Sequence, residues 1–383
     1  MSLNRCQKKS QKRSASVVLA AASLVFMCGV ALAAQERGPA AIPVDQLRQA
    51  VNKLGDLDYA TRMAAGRTIR RAQPAQAVTV LLQAITEHAD GFIRFRALVL
   101  LTGFNDPRTL DTMDEAVTSP NDRLREVAYG YFEQHPDPRM VDRMLIALDK
   151  ETGEFVRPAL VRALAALGKD PRVSAALIRD AGRGIDFFRS TVIEALGDYK
   201  IAAAVPKLIE IAKIEGPLQD DAATALGKIG DARALPVLAE MQQKAPQDIQ
   251  PAIAAAICLL GTNCSSHVGY LEKSLKYAEN IPGYQDLLRG AAAGLGAIST
   301  KGNAETLTTL FDVGIPSQDP VRAPVTLALG LVGLRNTPLM LKTLEARPDQ
   351  DEAVGILAEA FDMLEEDLEE ERFFVAVRRA YWA

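Results

Sequence analysis

Apolar positions recur three and four residues apart through most of the chain, as in Leu208, Ile209 and Ile211 or Leu235 and Leu238. That spacing puts them on one stripe of an α-helix. No stretch alternates apolar and polar residues for long enough to suggest a sheet protein. The stripes are broken at regular intervals by one fragment: Leu-Gly, a short turn often holding Asp, then a new stripe. Copies are Ala166-Leu167-Gly168-Lys169-Asp170-Pro171-Arg172, Ala195-Leu196-Gly197-Asp198 and Ala225-Leu226-Gly227-Lys228-Ile229-Gly230-Asp231-Ala232-Arg233. Leu260-Gly261, Leu295-Gly296 and Leu329-Gly330 continue the series. The interval between successive copies is roughly that of a short helical repeat. Upstream, Asp106-Pro107-Arg108 and Asp137-Pro138-Arg139 lead to Asp170-Pro171-Arg172 at a similar spacing.

Each part of the fragment has a physical role. Glycine after the last apolar residue takes the left-handed conformation that ends a helix. Asp caps the next helix, and Pro fits its first position, where no amide donor is needed. A lone hairpin of about 30 residues cannot bury both faces, so the units must stack. The pattern predicts an all-α solenoid of about nine to ten stacked helical hairpins over 44–383, with end caps at 44–73 and 352–383. Three stretches read as longer loops: Ser265-Ser266 to Gly269, Asn280 to Tyr284, and Thr300 to Asn303. Gly290 to Gly296 reads as a closely packed helix. Composition agrees with this picture: 48% of residues are hydrophobic but only 5% aromatic, so the apolar mass is small and aliphatic and suits close helix packing.

These units resemble HEAT repeats, in the short form known as HEAT-like or phycobilin-lyase-type repeats. That family places Val-Arg early in one helix, then Ala-Leu-Gly, then Asp before the next helix. Phe155-Val156-Arg157 with Leu167-Gly168 and Asp170 follows the pattern, as does Asp319-Pro320-Val321-Arg322 with Ala328-Leu329-Gly330. Asp221 to Leu238 matches its second half. The resemblance covers most of residues 74 to 350 and implies a fold that hosts many activities.

The N-terminal stretch is different. Arg5, Lys8, Lys9, Lys12 and Arg13 precede an uncharged apolar run from Ala15 to Leu32, and Ala31-Leu32-Ala33 offers small residues for cleavage. This is the three-part pattern of a secretory signal peptide, 1–33. Residues 34–43 then form a flexible leader. The expected location is periplasmic or secreted, the alternative being anchoring in the inner membrane through an uncleaved signal. Met27 stands before Cys28, where lipid attachment needs a small residue. No later segment is long and apolar enough to span a bilayer. Cleavage removes five of the 44 basic residues and none of the 48 acidic ones, so the remaining chain is clearly acidic. That balance argues against nucleic acid as partner. Cleavage also leaves two cysteines, Cys258 and Cys264. Gly261 between them marks a turn, so they form either a disulfide or two buried thiols.

No constellation of catalytic type appears. His88, His135 and His267 are far apart and near helix ends, and two thiols without His or acidic neighbours do not complete a zinc shell. The expectation is therefore no catalytic residue, no metal and no cofactor. Among HEAT-type relatives, deoxyhypusine hydroxylase needs several His-Glu pairs, whereas this chain has one reversed pair, Glu87-His88. The HEAT resemblance implies that second helices line an inner curve. Candidate partner-binding residues there are Asp142, Arg143, Arg179, Lys207, Glu210, Lys213, Glu240, Glu272, Lys276 and Lys342. Their mixed signs suit a protein partner. A second distinctive stretch is the acidic run Glu365 to Glu371 followed by Phe373, Phe374, Tyr381 and Trp382, read as a cap on the last hairpin or as an aromatic docking patch. The expected function is an exported protein–protein interaction scaffold, monomeric on its own. The alternative is a lyase-type enzyme or enzyme subunit acting on a protein-bound prosthetic group.

Overall fold

The computed structural model describes residues 41–363 apart from 105, 279, 280 and 282. The signal peptide, most of the leader and the acidic–aromatic run at 365–382 lie outside the described residues. Twenty α-helices, and no strand, occur among the described residues. They are α1 Val44–Asn52, α2 Tyr59–Arg71, α3 Pro74–Glu87, α4 Gly91–Thr102, α5 Arg108–Ala116, α6 Asp122–Gln134, α7 Val141–Leu148, α8 Val156–Ala166, α9 Pro171–Ala181 and α10 Asp186–Asp198. The series continues with α11 Val205–Ala212, α12 Gln219–Ile229, α13 Leu235–Lys244, α14 Gln250–Leu259, α15 Cys264–Ala278, α16 Gln285–Thr300, α17 Ala304–Gly314, α18 Arg322–Arg335, α19 Thr337–Ala346 and α20 Gln350–Met363. The stretch Ser265 to Gly269, expected to be a loop, is the first part of α15. No proline or left-handed residue interrupts it.

The described residues divide into two compact units, which part between Val80 and Leu81. In the first, α1 packs on α2 and buries Leu47, Ala50, Val51, Leu54, Ala65 and Ile69. The second is a stack of hairpins in two rows. Even-numbered helices pack directly on one another in sequence, α4 on α6 through to α18 on α20. Odd-numbered helices pack chiefly on the even ones, and α7–α9 and α17–α19 are the closer neighbours in their own row.

Side-chain size explains the difference between the rows. The even helices carry the Ala-Leu-Gly fragments. A Cβ built on Gly197 would lie 2.7 Å from the Ala225 Cα, and one on Gly227 would lie 2.5 Å from the Ala256 Cα. Only glycine at 197 and 227 allows α10, α12 and α14 to come so close. This corrects the expectation that the Leu-Gly glycines stop helices. Gly197, Gly227, Gly296 and Gly330 lie inside helices, and of the series only Gly261 is left-handed, with φ +79°. In the third copy the stop is three residues later, at Gly230, with φ +81°.

The Asp-Pro-Arg element behaves as expected. Asp170 accepts from the Arg172 amide at 2.8 Å and Asp137 from the Arg139 amide at 2.9 Å. The same arginines fold back onto their own capping carboxylates. Asp231 and Arg233 repeat the arrangement without the proline.

The arginine of the Val-Arg pair has a role that the pattern alone did not disclose. Arg157 donates to the Leu148 carbonyl at 2.6 Å and the Glu151 carbonyl at 2.9 Å, closing the C-terminal end of α7. Arg322 of the other Val-Arg pair does the same for α17 through Gly314 and Ile315, and Arg189, which follows Phe188 instead, does so for α9 through the Ala181 carbonyl. In α12 and α14 a glutamine takes over: Gln219 reaches the Ala212 carbonyl at 2.9 Å and Gln250 the Ala245 carbonyl at 2.9 Å. The last carbonyls of a helix have no intrahelical partner, so each hairpin borrows a donor from the helix that follows.

Candidate functional site

The even helices run in one direction, so their C-terminal ends share one edge of the stack and their N-terminal ends the other. Each edge carries a side-chain cluster.

At the C-terminal edge the centre is Asp198, the last residue of α10, whose side chain is 10% exposed. Its carboxylate meets Arg162 of α8 at 3.0 Å, Lys228 of α12 at 2.8 Å and Arg335 of α18 at 2.8 Å. Arg162 also reaches the buried Glu133 of α6 at 2.8 Å and lies over the Tyr199 ring. The Tyr199 hydroxyl donates to the same Glu133 at 2.7 Å. Just past α16, the Lys301 ammonium donates to the Lys228 carbonyl at 3.0 Å. Burial alone raises the Asp198 carboxyl, but Arg335, Lys228 and Arg162 outweigh it and hold its pKa at about 2. Lys301 moves the other way. Burial, with Lys200 and Lys228 nearby, lowers its pKa.

At the N-terminal edge, large apolar side chains face solvent. Phe92 in the first turn of α4, Phe155 before α8, and Ile185 and Phe187 at the start of α10 are 46%, 58%, 61% and 50% exposed. Arginines link them. Arg123 of α6 lies over both Phe95 and Phe155, at 5.9 and 5.5 Å, and Phe95 is 6.0 Å from Phe92. Arg157 lies over Phe188, which packs edge-on against Phe187. Helix starts normally carry polar residues, so apolar side chains there leave a stripe without a core to enter.

The same edge changes character beyond α10. A cavity of about 670 Å³ opens at the starts of α12, α14 and α16, where Asp220, Asp248 and Asp286 stand near Ile249, Ala252 and Arg289. Burial and the neighbouring Asp248 and Asp286 raise the Asp220 carboxyl. Behind it, burial, with Asp220 and Glu194 adding to it, pushes the Asp221 carboxyl up to about 7 against the Ser190 hydrogen bond and Lys228.

The residues singled out by sequence lie on the odd, more widely spaced row. Several are committed to ion pairs there: Asp142 with Arg172 at 2.7 Å, Arg143 with Asp114, and Arg179 with Asp149 at 3.0 Å and Asp180 at 2.8 Å. Lys207 pairs with Glu210 at 2.9 Å, Glu240 with Lys244 at 2.8 Å, and Glu272 accepts from Thr309 at 2.9 Å. Lys276 borders a cavity with Val313 and Pro316, while Lys213 and Lys342 are not buried. Exposed pairs of this kind contribute little each: Asp142–Arg172, Arg143–Asp114 and Arg179–Asp149 join neighbouring hairpins, Lys207–Glu210 and Glu240–Lys244 lie within one helix, and the set does not converge. Sequence reasoning passed over both edge clusters. The available clue to one was Phe155, Ile185 and Phe187 standing where helix starts favour polar groups.

The three histidines are dispersed. His88 Nδ1 accepts from the Asp90 amide, His135 stacks on Tyr131, and burial lowers the pKa of His267. Among the described residues no three His, Cys, Asp or Glu side chains converge on a metal position, and no helix is long and apolar enough to cross a membrane. Cys258, near the end of α14, and Cys264, at the start of α15, form a disulfide with Cα atoms 4.1 Å apart. Left-handed Gly261 and Asn263 turn the chain back between them.

Comparison with known proteins bears on the fold. No curated protein matches the chain in sequence. Among solved structures, the phycocyanin lyase CpcE–CpcF complex from Nostoc sp. PCC7120 is 20% identical over 67% of this chain and 96% of its own, with a TM-score of 0.42. Human deoxyhypusine hydroxylase is 21% identical over 57% of this chain and 88% of its own, at 0.30. Yeast importin-β is 13% identical over 87% of this chain and 57% of its own, at 0.39. Residues 44–132 match the family of HEAT repeats and residues 218–244 that of PBS lyase HEAT-like repeats. With paired helices stacked in two rows, capped by Asp and closed by the Val-Arg arginine, the chain is a HEAT-like repeat protein.

Proposed function

We propose that this protein is an exported scaffold that captures a protein partner along the N-terminal edge of α4, α6, α8 and α10. The observation that carries the reading is the run of exposed Phe92, Phe155, Ile185 and Phe187, with Arg96 over Phe92 and Arg123 over Phe155. Aromatic and arginine side chains are the groups that contribute most at protein interfaces. Arginines stacked on phenylalanine hold the rings in place before binding, which limits the ordering cost. Export rests on the basic front, the apolar run and the Ala31-Leu32-Ala33 of the N-terminal stretch.

The test is partner capture from the host by the tagged protein, with Phe155→Ser and Phe187→Ser set against Lys213→Ala and Glu240→Ala on the odd row. The edge variants are expected to lose the stoichiometric partner while keeping the parent helicity and melting temperature. Capture unchanged by the edge variants, or lost with the odd-row ones, would move the site elsewhere. Fractionation tests export separately: the chain belongs in the periplasmic or secreted fraction, starting just after Ala33.

A further inference from the structure

We infer that Asp198 and Arg335 form an electrostatic latch that holds the C-terminal ends of α10 and α18 together, and that the stack opens when the latch is released. In a repeat stack each unit contacts its neighbours, and stability is a sum of local and nearest-neighbour terms. This contact is of another kind. It joins residues 137 positions apart, across the helices α12, α14 and α16 that lie between. The Lys301 contact to the Lys228 carbonyl makes a shorter crossing of 73 positions on the same edge. At Gly197–Ala225 and Gly227–Ala256 the even helices meet backbone to backbone, and small changes of angle at such interfaces add up along the row.

The latch is ionic, and its surroundings decide what releases it. Arg162, Lys228 and Arg335 all converge on one carboxylate that is 10% exposed. If Asp198 is neutralised, three cations face each other with Glu133 as the remaining carboxylate, and they push the helix ends apart. If Arg335 is neutralised, Asp198 keeps two cations and the local packing of α8, α10 and α12, and only the long crossing is lost. Lys200 and Lys301 add positive charge on the same edge. Acid is a poor release for a carboxyl held so low, and salt or a competing multivalent ion reaches the latch from the side of Arg335, whose side chain is 29% exposed.

Small-angle scattering of the full protein across a salt series tests this, with circular dichroism as the check on folding. The parent is expected to gain about 1 to 2 Å in radius of gyration, against about 20 Å for a compact chain of this length, as salt rises from about 0.05 to about 1 M and the screening length falls to about 3 Å. Arg335→Gln should show the expanded value already at low salt, with no further response, and Arg335→Lys should recover part of the compact value. Asp198→Asn should expand at least as much. If Arg335→Gln matches the parent in size and salt response, or lowers the melting temperature without any change in size, the contact is merely structural and the latch is refuted.

Discussion

Arg335 and Asp198, at the ends of α18 and α10, meet at 2.8 and 3.2 Å although they stand 137 positions apart in the chain. The even helices all end on one edge, and since an arginine reaches far less than several interhelical spacings of about 8 to 10 Å, the contact requires the ends of α10 and α18 to be drawn together on that edge rather than held in a straight row. It also changes what the stack is energetically. A linear array unravels from its ends, one repeat after another, whereas a tie between distant repeats makes the intervening ones unfold together. We therefore expect Arg335→Gln to broaden the denaturant transition, read as a smaller m-value, more than it lowers the midpoint. A parallel shift at unchanged m-value would show that the tie carries no cooperativity.

Two carboxyls give the protein opposite responses to pH. Asp198 titrates at about 2 when folded, below its unfolded value, so its stabilisation is present above about pH 4 and is lost as pH falls towards 2. Asp221 titrates at about 7, above its unfolded value, so the folded state holds that proton more tightly. Its contribution is favourable below about pH 4, and stability declines as pH rises from there through about 7. Asp221→Asn removes that penalty. Denaturant midpoints measured from pH 4 to 8 should show the variant gaining on the parent by about 2 to 4 kcal/mol at the upper end. Parallel pH profiles for the two proteins would count against this assignment.

The architecture was legible because it rests on local chemistry. Asp170 before Pro171, and leucines three and four apart, mean the same thing wherever they occur. Three readings needed the folded chain. Gly227 looked like a helix stop and instead marks where the Ala256 backbone comes close, a partner in the next repeat. Asp198 sits after Leu-Gly where the fragment puts a capping residue, yet it is still in α10, and its role depends on Lys228 and Arg335. Phe155 and Phe187 resemble core residues in sequence, and their exposure follows from their position at the outer edge of helix starts. In each case the deciding neighbour lies in another repeat, which periodicity does not register.

Two glycine-to-alanine changes separate close packing from helix propensity. At Gly227 a Cβ would press into the Ala256 backbone, which has no flexible end to yield. Gly227→Ala should lower stability by about 1 to 3 kcal/mol through overpacking. Gly269 lies inside α15 with nothing within 4 Å of a built Cβ. Gly269→Ala should raise stability by about 0.5 to 1 kcal/mol by reducing the freedom of the unfolded chain. Equilibrium unfolding in urea measures both. Equal effects of the same sign at the two positions would contradict the close-approach argument.

Arg157 closes the end of α7 and also pairs with Asp180, which is 2% exposed and held in addition by Arg179 and Arg183. Its replacement by Met strands two carbonyls and weakens support for a buried carboxylate, at a cost of about 2 to 4 kcal/mol. Glutamine performs the carbonyl half of this task at Gln219 and Gln250. Arg157→Gln is therefore expected to recover about half of that loss, since each restored hydrogen bond contributes about 1 kcal/mol. Identical midpoints for the Met and Gln variants would mean that the carbonyl contacts contribute nothing.

The Cys258–Cys264 bond closes a loop of few residues between α14 and α15. A short loop limits how much freedom the unfolded chain loses, so the bond should contribute about 2 kcal/mol at most. The turn already has its own left-handed Gly261 and Asn263, and Cys258 is buried on the even row, so the hairpin retains its packing when the bond is cut. The double change Cys258→Ser and Cys264→Ser should therefore yield a folded protein with a modestly lower midpoint, and a reducing agent should lower the parent to the same value. Non-reduced peptide mapping of the purified protein should recover the linked pair, and free thiols at both positions would remove the bond.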